Sequence, residues 1–293
     1  MVFLRFKLLF FYFFVSKFLL LGQQIKEPRQ VAEWTKHMDP FRIVGNLYYV
    51  GTYDLGCYLI ATSKGNILIN TGVQSSGPEI KHNIESLGLK LKDIKILLTT
   101  QAHYDHVGAM AYIKRNTHAR LLVDAADAQV LKDGGKSDYE MSKYGATFEP
   151  VNPDQLLQDS NKIILGDMSL TLLHHPGHTK GSCSYLLNVQ DGLKKYSVLI
   201  ANMPSIVTDR KFSSITDYPS IEKDYAYTLT GLKNIHFDIW LASHAGQFDL
   251  HEKYKSGQPY NPSVFNDANG FANKLSELQR AFDEKLKADK IKS

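Results

Sequence analysis

The apolar positions of this chain fall into two successive blocks built the same way: short strand-like runs, then a helical periodicity, then another run. In the first block Phe41-Arg42-Ile43, Leu47-Tyr48-Tyr49-Val50, residues 57–61 and residues 66–69 read as strands. Gly45, Gly51, Gly56 and Gly65 punctuate them as turn residues. Ile80, Ile84 and Leu87 then recur at helical spacing after Pro78, and Gly88 closes that helix. The run 94–100 is apolar enough to be a buried strand, with polar residues from Gln101 and a helix predicted over about 107–115. A strand at 120–123 and a short helix near 125–131 lead into Gly134-Gly135-Lys136-Ser137-Asp138-Tyr139. A loop so rich in glycine and polar residues is either a flexible connector or a wall of a site.

The pattern then restarts, with strands at 162–165, 169–173, 183–188 and 196–201. A helix at roughly 219–234 carries Ile221, Tyr225, Thr228 and Leu232 on one face, and 238–242 is the next strand. A long C-terminal helix aligns Phe271, Leu275, Leu278 and Phe282. The repeated order predicts two similar α/β halves packed together, with no matching repeat in the residues themselves.

Composition changes this picture little: 43% hydrophobic and 22% charged residues are ordinary for a globular chain with a sizeable core. The net charge of +4 draws Arg5, Lys7 and Lys17 from residues 1–22, which carry no acid, so the remainder holds only +1. That balance points to neither nucleic acid nor a membrane surface as partner. Residues 1–22 themselves run from a short basic start into an apolar stretch, the layout of a secretory signal peptide. Lys17 divides the stretch into pieces too short to span a bilayer, so no stable membrane association is expected after cleavage. The expectation is a signal peptide at 1–22, a single domain at 23–293, and a monomer in the periplasm. Cys57 and Cys183 both fall in strand-like text and read as two buried thiols, with one bridge as the alternative.

Candidate chemistry gathers just after strands. Gln101-Ala102-His103-Tyr104-Asp105-His106 follows the run 94–100, and His174-His175-Pro176-Gly177-His178-Thr179-Lys180 follows the run 169–173. Asn202-Met203-Pro204-Ser205 and Ser243-His244 follow two later strands. A zinc ion takes about four N, O or S donors at roughly 2.0–2.3 Å, and strand ends hold donors rigidly. On an extended turn His103 and Asp105 lean to one side and His106 to another, so one stretch can serve two neighbouring metals. Single histidines carry no such weight: His37, His82, His118, His236 and His251 read as ordinary core or surface residues, and His175 and Lys180 as solvated surface.

His-x-Asp-His, then Pro-Gly-His-Thr, then Ser-His, in this order and spacing, resembles the metallo-β-lactamase superfamily over nearly the whole chain beyond residue 22. Asp105-His106, the Gly-Gly-Lys-Ser-Asp loop and the Pro-Gly-His-Thr turn are similar to subclass B3, and Gln101 with Ala-Asn-Met-Pro-Ser to its GOB-type branch. The resemblance implies a four-layered αββα sandwich, class α/β (α+β), holding one or two Zn2+ ions between its halves. It implies Gln101, His103 and His178 as ligands of one metal and Asp105, His106 and His244 as ligands of a second. A neutral amide is a weaker donor than imidazole, so the second site is expected to be the tighter one.

The same resemblance implies hydrolysis of β-lactams (penicillins, cephalosporins, carbapenems) by zinc-bound hydroxide, and hence antibiotic resistance. Zinc lowers the pKa of bound water from 15.7 to about 7. Asp105 is suited to orient the nucleophile and relay its proton, and Ser205 to bind the substrate carboxylate. Asn70, where relatives often have Asp, is expected to orient ligands from behind. Two alternatives remain beside this reading: another hydrolase of the fold, such as a glyoxalase II-like thioesterase or a lactonase, or a catalytically inactive zinc-binding protein. Met203 speaks against the thioesterase, because that type places a metal-bridging Asp here and a thioether is no substitute.

Overall fold

Residues 25–28 and 31–291 are described by the computed structural model; the signal-like stretch 1–22 lies outside them. A seven-stranded sheet carries β1 (Phe41–Val44), β2 (Leu47–Tyr49), β3 (Tyr58–Thr62), β4 (Gly65–Ile69), β5 (Ile94–Leu98), β6 (Arg120–Asp124) and β7 (Gln155–Leu157) in sequence order. The first four strands form an antiparallel meander, and β4 to β7 run parallel. Each parallel step needs a crossover. The crossovers contain α2 (Ser76–Ser86), then α3 (Tyr104–Val107) with α4 (Met110–Thr117), then α5 (Ala128–Asp133), while α1 (Ala32–Thr35) precedes the sheet.

The second sheet runs in the order β12-β11-β10-β9-β8. Its strands are β8 (Lys162–Leu165), β9 (Met168–His174), β10 (Cys183–Asp191), β11 (Lys194–Ala201) and β12 (Ile239–Ala242), antiparallel except for the β11–β12 pair. Between β11 and β12 lies α6 (Ile221–Lys233); α7 (Leu250–Lys253) and α8 (Ala268–Ile291) follow.

Alternation along the strands sorts the side chains into layers. Ile67, Ile69, Ile96, Leu98 and Leu122 face inward and share one cluster with Leu170, Leu172, Tyr185, Val198 and Ile200 of the other sheet. Their neighbours Leu68, Leu97, Leu121 and Val123 face outward against Ile80 and Ile84 of α2, Met110 and Ile113 of α4, and Leu131 of α5. On the far side Leu199 is in register with Trp240. Trp240 stacks edge-on against Phe271 of α8, ring centroids 5.2 Å apart. Helices, sheet, sheet, helices: the expected αββα sandwich is present, with both central parallel strands buried on two faces and reading as continuous apolar runs. Among the described residues no helix is long and apolar enough to cross a membrane.

One local expectation changes, one strand is added, and the reading of the cysteines as buried thiols holds. The single helix placed at 107–115 is two, α3 and α4, with Gly108 between them. A Cβ at Gly108 would lie 2.4 Å from the Gln74 nitrogen and 2.6 Å from the Tyr104 carbonyl oxygen, so the 72–74 turn packs where a side chain would stand. Strand β7 has no alternating signal because it is an edge strand with Leu156 half exposed. Cys57 and Cys183 are free and buried, so the bridge is not made.

Candidate metal centre

The parallel strands β4, β5 and β6 of one sheet, and β11 and β12 of the other, deliver their C-terminal ends to one rim. In open α/β architectures that edge is where side chains can converge on a ligand. Cross-sheet hydrogen bonds fix the rim. Thr100 Oγ1 and Ser243 Oγ are 2.9 Å apart, Asn202 Nδ2 donates to the Thr100 carbonyl at 2.8 Å, and Tyr58 OH donates to the Ala242 carbonyl at 2.5 Å. Asn70 sits beneath, in the left-handed region with φ 63°, a conformation that Asn tolerates. Its Oδ1 accepts from the Thr100 amide at 2.9 Å and from the Thr99 and Thr100 hydroxyls at 3.2 Å, which orients the turn carrying Gln101.

Asp105, His106 and His244 come together with ligand atoms all within 4.8 Å of one another. Asp105 Oδ2 is 3.4 Å from both His106 Nε2 and His244 Nε2. The stretch is helical here instead of extended: His103 is the N-cap of α3, with φ −92° and ψ 152°, and Asp105 and His106 occupy its first turn. Successive helical residues point about 100° apart, which separates His103 from the Asp105–His106 pair in a different way from strand alternation. His244 is turned by Asp54, whose Oδ2 is 2.9 Å from His244 Nδ1 and also accepts from Trp34 Nε1 at 3.1 Å. Nothing in the turn 52–56 marks Asp54 as functional in the sequence.

Gln101, His103 and His178 form the adjoining group. The His103 and His178 rings meet edge to face with centroids 4.8 Å apart. His178 Nδ1 is 2.7 Å from the Ser205 carbonyl and 3.2 Å from its hydroxyl, so Ser205 orients a histidine as well as facing the cavity. Asp127, which the sequence does not single out, joins the two turns. It accepts from the Ala102 amide at 2.9 Å, Thr179 Oγ1 at 2.7 Å and the Gly181 amide at 2.7 Å. Gly177, with φ 127°, lets the second turn lie against Tyr225; a Cβ there would sit 2.9 Å from that ring.

Buried polar atoms normally have partners. In this centre Gln101 Oε1, His103 Nε2 and both ring nitrogens of His106 have no hydrogen bond. Burial lowers His106 to about 4 and His178 to about 3, leaving neutral imidazoles, the form that binds metal. Burial alone would raise the Asp105 carboxyl, but His106 and His244 outweigh it and hold it well below the usual range. The same interaction, with Asp54, overcomes burial at His244 and pushes it up to about 9. An ionised carboxylate, the neutral imidazoles of His106 and His178 and an amide oxygen with no other partner are a donor set that suits zinc, and at His244 a bound metal would take the place of the proton held between Asp105 and Asp54.

The groups open into a cavity of about 470 Å³ that also touches Trp34, Met141, Tyr144, Asn202, Met203, Ser205 and Gln247. Met141 and Tyr144 sit in the turn that directly follows the glycine-rich stretch, and the whole 134–145 loop is therefore a wall. It is tied down where Arg210 Nη2 meets the buried Glu140 Oε2 at 3.0 Å and the Tyr139 carbonyl at 2.6 Å. Met203 is 2% exposed and packs into the core below the donors. His175 differs from the expectation of a solvated residue: it is 5% exposed, 2.7 Å from Ser184 Oγ, and lowered by burial to about 4. Lys180 is half-buried, with Nζ 5.7 Å from the Tyr218 ring centre, and takes no part in the cavity.

Residues 57–193 match the family model described as metallo-β-lactamase superfamily. Among solved structures, the metallo-β-lactamase GOB-18 from Elizabethkingia meningoseptica is 58% identical with TM-score 0.90, over 91% of this chain and 99% of that one. The class B3 di-zinc metallo-β-lactamase LRA-12 from an Alaskan soil metagenome is 55% identical with TM-score 0.88, over 89% and 99%. Curated relatives are more distant. A probable metallo-hydrolase of Methanocaldococcus jannaschii is 29% identical over 46% of this chain, which spans 63% of that protein's length. A human acyl-coenzyme A thioesterase is 26% identical over 64% of this chain and 73% of its own.

Proposed function

The chain belongs to the subclass B3 metallo-β-lactamases, and from that premise we propose that it is a zinc-dependent β-lactamase opening the cyclic amide of β-lactam antibiotics. The observation that carries the reading is the Asp105, His106 and His244 cluster at one strand rim, with the buried Gln101 Oε1 and His106 nitrogens beside it left without hydrogen-bond partners. When bound, zinc supplies a Lewis acid for the amide carbonyl and a nucleophile from water at neutral pH. Asp105, ionised at neutral pH, offers Oδ2 to the metal with His106 and His244, and with Oδ1 it would accept a hydrogen bond from the attacking water, take its proton and return it to the departing lactam nitrogen. Among the described residues no lysine or arginine lines the cavity, so the substrate carboxylate falls to the Ser205 hydroxyl and the neutral amides of Asn202 and Gln247. Trp34, Met141, Tyr144 and Met203 supply apolar walls that exclude water from the ring being opened.

Two zinc ions are proposed, with Asp105, His106 and His244 as the tighter set, because a carboxylate and two imidazoles outweigh an amide oxygen and two imidazoles. Met203 leaves no acid to bridge the two, which disfavours a thioesterase of the bridging type. The basic-then-apolar start supports export to the periplasm through 1–22, and we take the mature protein, 23–293, as a monomeric single domain. Zinc titration of the apo protein, with carbapenem hydrolysis followed at each equivalent, tests both points. Two binding steps with the Asp105 set filling first are expected; zinc binding that saturates at one equivalent would refute the second site. Two bound zinc ions without turnover of any penicillin, cephalosporin or carbapenem would overturn the function.

A further inference from the structure

We infer that Asp138 is a positioning residue that selects Nδ1 of His103 as the atom offered to the first metal. The inference rests on the zinc reading above and deepens it. Asp138 lies in the loop that walls the cavity, with 3% of its side chain exposed. One carboxylate oxygen, Oδ1, accepts the amides of Glu140 at 2.8 Å and Met141 at 2.6 Å, and so caps the turn that carries Met141. The other, Oδ2, stands 3.3 Å from His103 Nε2, off the line of a well-formed hydrogen bond. That nitrogen is buried and has no other partner.

A neutral imidazole has one N–H and one lone pair, and its surroundings decide which nitrogen carries which. A carboxylate beside Nε2 holds the N–H there and leaves the lone pair on Nδ1. His178 and His244 are set the other way round. Their Nδ1 atoms face the Ser205 carbonyl at 2.7 Å and Asp54 Oδ2 at 2.9 Å, which leaves Nε2 for metal. The three histidines thus need two opposite tautomers, each fixed by its own acceptor. The consequence is largest at His103, because its companion Gln101 brings only a neutral amide. A carboxylate behind an imidazole also raises the basicity of the ligand. Asp138 is therefore the means by which a site with one weak donor keeps its zinc, and it makes that affinity depend on the fold of the 134–145 loop.

The test is stepwise zinc titration of the apo protein against a competing chromophoric chelator, in wild type, Asp138→Asn and Asp138→Ser. Asn keeps an oxygen for the turn but presents an amide N–H to His103 Nε2, which favours the wrong tautomer. Ser keeps a turn acceptor and removes the carboxylate, so it serves if Asn fails to fold. One zinc step should weaken about 10- to 100-fold in both variants, the range seen when such supporting partners are removed. The other step, the one that Asp54→Ala weakens, should not move. Long-range proton–nitrogen NMR of the zinc-loaded wild type should show His103 protonated at Nε2. Unchanged affinities, equal weakening of both steps, or a proton on Nδ1 of His103 would each overturn the inference. Failure of the β-lactamase reading would show separately, as wild type that binds two zinc ions and turns over no β-lactam.

Discussion

Removing the Arg210 guanidinium should loosen the wall of the cavity at a cost that the structure allows to be worked out. Glu140 has 3% of its side chain exposed and is met by Arg210 at 3.0 Å and by the more exposed Lys143 at 3.2 Å. Taking one partner from a buried pair leaves an uncompensated charge, typically about 3–5 kcal/mol. Arg210 also supplies the 2.6 Å hydrogen bond to the Tyr139 carbonyl, worth about 1 kcal/mol. Lys143 remains within reach and returns part of the loss, so Arg210→Leu should destabilise the zinc-loaded protein by about 3 kcal/mol. Adding Glu140→Gln removes the stranded charge, so the double variant should be more stable than Arg210→Leu alone. Urea unfolding of the four proteins of this cycle gives the coupling directly. A loss below about 1 kcal/mol for Arg210→Leu, or strict additivity, would refute the claim that this pair holds the loop. Because Met141 and Tyr144 belong to that loop, KM should rise in Arg210→Leu more than kcat falls.

Further outcomes follow from single contacts. Asp54→Ala should weaken the zinc step of the Asp105 set about 10- to 100-fold, read by equilibrium dialysis, since His244 loses the acceptor at its Nδ1. Ser205→Ala should raise KM for carboxylate-bearing β-lactams about fivefold, the value of one hydrogen bond, while the carbonyl that orients His178 is kept; steady-state kinetics would contradict this if KM stayed put. His175 gives a pH signature. Burial depresses its folded-state value from 6.5 to about 4, so the unfolded chain takes the proton first as pH falls. Its contribution is full above pH 6.5 and is lost progressively between there and about 4, reaching about 3 kcal/mol. Unfolding free energies of wild type and His175→Gln should therefore converge as pH falls; parallel curves would disprove it.

The two α/β halves were legible because their central strands are apolar on both faces and their helices carry one apolar stripe each; their stacking as a four-layered sandwich came from the family resemblance. Ile67 and Leu68, adjacent in sequence, already show the two layers they serve. The donors were legible for a related reason: His103, Asp105, His106, His178 and His244 follow strands directly, where polar side chains have no place in the core. What lies behind them was not. Asp54 and Asp127 occupy turns in which an aspartate has ample local reasons to be present, and only the approach of His244 or Thr179 from elsewhere in the chain reveals their work. The break between α3 and α4 escaped notice because Gly108 is helical in φ and ψ; the constraint comes from the 72–74 turn lying against it. His175 was misread because periodicity stops at the end of β9, while β10 continues to cover it through Ser184.

Cys57 and Cys183 are 1% and 0% exposed, unbridged, and pushed by burial far above the usual thiol range. Almost no thiolate exists on either to be oxidised or exchanged. Maturation of this protein thus asks for no oxidant and no disulfide isomerase, and the same native state is reached in a reducing or an oxidising compartment. Recombinant material made in a reducing cytoplasm should match, in fold, material made in an oxidising compartment, and the two should differ for this chain in metal supply alone.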